Sequence, residues 1–168
     1  MRNKVVSLAV VALFTFTCGP AAVHAQEVAH FGTAKVNMHK ESRGLNTVFD
    51  VNARSADPDK LLPMLNTVNG VAKAVMQETG GKVVFVFHGK EQLAFANKNE
   101  LEYSDVMTKL SELKKQGVEF RFCNNAMKGN GLVPADMNGL VTVVPAGYPE
   151  LALLQSQGYK YLFFSYYY

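Results

Sequence analysis

The run Lys82–His88, KVVFVFH, constrains the fold more than any other stretch of the chain. From Val83 to Phe87 it offers no polar face. A strand that is apolar on both sides must be covered on both sides, which is the situation of a central strand in a parallel sheet. Parallel strands cannot be joined by a tight hairpin, so crossover helices must flank this run. An α/β fold follows from these few residues.

The rest of the chain supplies the flanking elements. Leu45–Asn52 reads as a first strand, with Leu45, Thr47, Phe49 and Val51 on one face. Asp57 and Pro58 are a helix N-cap and first turn, and the apolar spacing from Leu61 to Val75 predicts a helix to about Glu78. Thr79-Gly80-Gly81 ends it. After the central run, Glu91–Glu102 reads as a connection with a short apolar turn at Leu93-Ala94-Phe95. Ser104 is expected to cap a helix reaching about Gln116, with Gly117 closing it. Val118–Cys123, Leu140–Val144 and Tyr159–Ser165 read as three further strands. Pro134–Met137 reads as a single helical turn, and Tyr148–Gln157 as a short helix. The order predicts a single-domain, three-layer α/β sandwich with a mainly parallel five-stranded sheet. The 168 residues are 48% apolar and 18% charged, which suits one packed domain.

The first residues have a different character. Arg2 and Lys4 precede the apolar run Val5–Phe16, and Val23-His24-Ala25 fits a small-x-Ala cleavage site. That pattern predicts a signal peptide over residues 1–25, cleaved after Ala25, and a periplasmic or secreted mature chain, 26–168. The apolar run is too short to span a bilayer, which takes about 20 residues, so no stable membrane insertion is expected after cleavage. Arg2 and Lys4 leave with the leader, and the formal net charge of +3 drops by two. No basic stripe marks a nucleic-acid binder. The mature chain keeps one cysteine, Cys123, in a compartment that favours disulfides; such a cysteine is buried, paired between chains, or reactive.

The candidate chemistry lies in Gly117–Gly131, GVEFRFCNNAMKGNG. Val118, Phe120 and Phe122 alternate with Glu119 and Arg121, and the strand stops at Cys123. Ligands of open α/β sheets gather at the carboxyl ends of strands, and a crevice opens where the strand order reverses. Cys123 occupies such an end, and His88, followed by Gly89, occupies the end of the central strand. Asn124 and Asn125 can supply amide donors, Lys128 can add positive charge, and a following helical turn can present backbone N–H groups that stabilise a thiolate. The bland alternative is that Cys123 packs as a small hydrophobe. Lys82 follows two glycines but opens a strand, whereas a P-loop lysine opens a helix. Gly129-Asn130-Gly131 lacks the dinucleotide fingerprint, and His30, His39 and His88 show no metal-binding spacing, so neither cofactor nor metal is expected.

The segments Val83–Gly89, Gly117–Gly131, Val143–Gly147, Glu150-Leu151 and Leu154–Tyr159 together resemble the exported branch of the DsrE/DsrF-like family. The resemblance covers about Leu45–Phe164. It implies a small α/β sandwich assembled as trimers or hexamers. It also implies a sulfur-relay role in which a cysteine at the position of Cys123 carries persulfide between donor and acceptor proteins. His88-Gly89 matches a pair that recurs at this strand end in the exported branch. The long Glu91–Glu102 connection and the tail Tyr166-Tyr167-Tyr168 depart from the pattern. The tail is expected to pack on the domain or on a neighbouring subunit. The alternative function is a non-catalytic oligomeric binding or scaffold protein in which Cys123 is structural.

Overall fold

The computed structural model describes residues 42–164. The expected leader, residues 26–41 and the tyrosine tail lie outside the described residues. Five strands form one sheet, β1 (Thr47–Val51), β2 (Val83–Phe87), β3 (Glu119–Cys123), β4 (Val141–Val144) and β5 (Lys160–Phe164). All pairings are parallel, and the order across the sheet is β4-β3-β2-β1-β5. The central run is β2, flanked by β3 and β1 and buried at every residue.

Four helices connect the strands: α1 (Pro58–Thr79), α2 (Ser104–Lys115), α3 (Asn124–Gly129) and α4 (Gly147–Ser156). The path explains which face each helix covers. From β1 to β4 the chain steps across the sheet in one direction, and right-handed crossovers then place successive connections on one face. The last connection, from β4 back to β5 beside β1, runs the other way and puts α4 on the opposite face. The reversal of strand order therefore falls between β1 and β5, one strand away from β2, and not between β2 and β3.

The local signals act as their chemistry dictates. The Asp57 carboxylate accepts the Asp59 N–H at 3.1 Å, Pro58 opens α1, and Gly80 ends it at φ 65°, donating its N–H to Met76 O. That left-handed conformation favours glycine. Pro63 lies inside α1 on its exposed side, where water can take the carbonyl its missing N–H leaves unpaired. One detail differs from expectation. Ser104 is the first helical residue of α2, not its cap; Tyr103 precedes the helix and makes no side-chain cap bond. The 91–102 connection holds the expected apolar turn as the 3₁₀ helix Lys90–Phe95, followed by a second 3₁₀ turn, Asn97–Asn99.

The two faces carry different packing. Under α1, α2 and α3, Phe49, Phe85, Phe87, Phe120 and Phe122 project from the sheet into one large core, with Phe95 closing it. Their rings pack at centroid distances such as 4.8 Å for the stacked pair Phe49–Phe85 and 5.1 Å for the tilted pair Phe87–Phe122. Under α4, a small cluster forms from Val48, Val84, Val86, Leu151 and Leu154. The other residues of that face are mostly polar.

Candidate functional site

The site assembles where β1, β2 and β3 end beneath the start of α4. Side chains alternate along a strand, so Val84, Val86 and His88 share the α4 face of β2, and Glu119, Arg121 and Cys123 share it on β3. Phe87 pairs with Phe122, so one step further along both strands sets His88 beside Cys123. Gly147 shows how closely the pieces meet. A Cβ there would stand 3.3 Å from the Cys123 Cβ and 3.4 Å from the His88 Cβ, so the α4 backbone rests against both residues. A cavity of about 340 Å³ opens over them, with Asn52, Asn125 and Tyr148 in its wall.

Cys123 is 7% exposed and is the free cysteine among the described residues. It precedes α3, and its Sγ accepts the Ala126 N–H at 3.4 Å. His88 is held from the side opposite Cys123. Its Nε2 bonds the Asp50 carboxylate, and the ring packs edge-on to Tyr148 at 5.0 Å. Asp50, itself 4% exposed, takes a second hydrogen bond at Oδ2 from the Tyr161 hydroxyl, at 2.7 Å. That bond to Asp50, together with burial, raises the Tyr161 phenol to about 12, so it remains a donor through the physiological range. β1, β2 and β5 thus contribute one connected set, Tyr161–Asp50–His88.

A second polar layer fixes the strand ends from the core side. Gln92, fully buried, donates through Nε2 to Phe87 O at 2.9 Å and to Cys123 O at 3.2 Å. Asn130 donates to Gly89 O and to Gln92 Oε1. Glu91, also fully buried, accepts the N–H groups of Gly89 and Ala53, each at 2.7 Å. Burial pushes its carboxyl up from 4.5 to about 7, against the lowering effect of those backbone bonds. Gly89 is glycine for want of space: a Cβ would lie 2.5 Å from Ala53 backbone atoms and from Glu91 Oε2.

The sequence-predicted residues separate as follows. Cys123, His88 and Asn125 line one cavity. His88 and Gly89 also line an adjoining cavity of about 340 Å³ that reaches Arg54 and Lys90. Asn124 is half-buried, and its Oδ1 has no hydrogen-bond partner among the described residues. Lys128 is exposed in the last turn of α3 and lines neither cavity. A larger groove of about 440 Å³ beside α2 holds no cysteine or histidine.

The model of the DsrE/DsrF-like family matches residues 62–164, more than half of the chain. The chain belongs to the DsrE/DsrF-like family. Among solved structures, a protein of unknown function from Methanobacterium thermoautotrophicum, MTH1491, is 23% identical with a TM-score of 0.55, covering 71% of this chain and 98% of its own. The ychN protein from E. coli is 14% identical with a TM-score of 0.51, covering 71% of this chain and 99% of its own. At these identities the likeness is one of fold. No curated protein matches the chain significantly. Within this DsrE/DsrF-like domain, sequence reasoning missed Asp50, Tyr161, Glu91, Gln92 and Tyr148. The one usable signal was Asp50, an acid in the middle of a strand.

Proposed function

We propose that the protein is an exported sulfur carrier in which Cys123 accepts sulfane sulfur as Cys123–S–SH and passes it to the thiol of an acceptor protein. The observation that carries this reading is the placement of Cys123 at a strand end, in a cavity beside His88, within a DsrE/DsrF-like fold. A carrier needs one cysteine, because each partner brings its own sulfur. The Ala126 N–H at Sγ favours a negatively charged sulfur over a neutral one. Cleavage after Ala25 and a periplasmic or secreted location belong to the proposal, and the intact mass of the protein processed by its host tests them.

The test of the carrier is mass spectrometric. Wild-type protein incubated with a sulfane-sulfur donor gains about 32 Da, one sulfur atom, and loses it to an added thiol. Cys123→Ser stays folded and gains nothing. A wild type that gains no mass from any of several donors removes the reading.

The alternative, an oligomeric binding protein with a structural cysteine, draws on the 7% exposure of Cys123. Labelling of the native protein at the rate of the denatured chain would eliminate it. Both readings include a homo-oligomer, a trimer or hexamer. Support comes from edge strand β5, which exposes Leu162 at 47% and Phe163 at 57%. Light scattering that gives a clean monomer would exclude the assembly.

A further inference from the structure

Three residues of the site have no task in a bare carrier. Asp50 is buried and bonded to the half-buried His88, and Tyr161 reaches Asp50 from a strand 111 residues away in sequence. A buried carboxylate beside a histidine is costly to desolvate and is weak evidence for stability alone. Its geometry, however, orients the ring. The Asp50 carboxylate accepts at Nε2, so the neutral imidazole carries its proton there and presents an unprotonated Nδ1. Nδ1 makes no hydrogen bond among the described residues, and the ring shares a cavity with Cys123. The Tyr161 hydroxyl occupies the other Asp50 oxygen and keeps the carboxylate from turning away.

We propose that His88 Nδ1 is the proton acceptor and donor for Cys123 in sulfur transfer, and that Asp50 and Tyr161 are positioning residues that hold its tautomer and orientation. The inference rests on the carrier reading for its reaction, but its test is independent of it. The donor is a hydropersulfide, R–S–SH. The Cys123 thiol gives its proton to Nδ1, and the thiolate attacks the terminal sulfur of the donor. A new S–S bond forms at Cys123 as the S–S bond of the donor breaks. The leaving R–S⁻ takes the proton back from the imidazolium. Cys123–S–SH and R–SH result, with no oxidant or reductant consumed. Asp50 stabilises the imidazolium that exists between the two proton transfers, as in other nucleophile–histidine–carboxylate sites.

The groups around the ring bear on any pH effect. They are Asp50 from β1, Cys123 from β3, Tyr148 from α4 and Tyr161 from β5, with Arg54 and Lys90 in the adjoining cavity and Glu91 behind the Gly89 amide. The experiment measures iodoacetamide alkylation of native Cys123 against pH, read by mass. His88→Gln is expected to slow alkylation near neutrality about tenfold or more and to move the profile towards that of a free thiol, near 8.5. Asp50→Asn moves it the same way by less, and Tyr161→Phe by less again. Tyr161→Phe removes one oxygen from a side chain that is 42% exposed, so folding is not at issue for that variant. In the wild type, NMR titration of His88 is expected to shift when Cys123 is alkylated. Unchanged profiles in all three variants, or a His88 titration indifferent to alkylation, overturn the inference even if the protein still loads sulfur. Shifted profiles in a protein that loads no sulfur leave the Cys123–His88 coupling standing and remove the carrier instead.

Discussion

The sheet face under α1, α2 and α3 carries Phe49, Phe85, Phe87, Phe120 and Phe122, whereas the face under α4 carries Val48, Val84 and Val86 together with Asp50, His88, Arg121 and Cys123. Both sets come from the same strands, one residue out of phase. The first face removes large rings from water and supplies most of the apolar burial. The second has one helix over it, and that helix starts with Gly147, too small to fill the space above Cys123 and His88. The ring core and the polar cavity are thus separated by the thickness of a strand, and substitutions on the two faces should differ in kind.

The largest effect expected from breaking this division is on the ring face. Phe85 is fully buried against Phe49, Phe87 and Phe120. Phe85→Ala should cost about 3–5 kcal/mol in urea denaturation. A loss below about 1 kcal/mol would mean the stacked rings are not the main support.

Glu91 comes next, because its turn also contributes Ala94 and Phe95 to the large core. Its carboxyl is raised from 4.5 to about 7, so the folded state prefers it protonated. That contribution is fully present below about pH 4.5 and is lost as pH rises to about 7, with a span of roughly 3 kcal/mol. Glu91→Gln should flatten the stability curve in that window. A wild-type and variant difference that is constant with pH would show that Glu91 is ionised throughout.

On the α4 face the effects should shift from stability to reactivity. Gly147→Ala places a methyl group 3.3 Å from the Cys123 Cβ and should cost about 1–2 kcal/mol. The same change should slow labelling of Cys123 by more than that loss explains, because the methyl enters the cavity. Equal labelling rates would place the route to the thiol elsewhere. The smallest effect is expected at Glu150, which pairs with Arg121 on this face. Glu150→Gln should cost about 1 kcal/mol or less in thermal denaturation, since Arg121 also keeps Glu119.

The two faces also divide what the sequence disclosed. The alternation in Leu45–Asn52 and the unbroken run of β2 expose their pattern to any reader, because burial there follows local period. The strand-end rule likewise brought His88 and Cys123 together. Asp50 was legible only as the polar phase of a strand, which ordinarily faces water. What buries it is α4 above and β5 alongside, and β5 arrives from the far end of the chain. Tyr161 is invisible for the same reason. Glu91 and Gln92 read only as the start of a connection, because their partners are main-chain groups of Ala53, Phe87, Gly89 and Cys123, which no side-chain pattern announces. Lys128, named for its charge, stands exposed in the last turn of α3.

Gln92 joins the last carbonyls of β2 and β3 with two hydrogen bonds, and so acts as a rung laid just beyond the sheet. Strand ends usually fray, and groups carried on them open independently of the rest of the domain. Here the rung extends the cooperative unit to Cys123. Amide exchange at the ends of β2 and β3 should therefore follow the slow class of the sheet interior. Labelling of Cys123 should then proceed from the native conformation, not from a rare excursion from it.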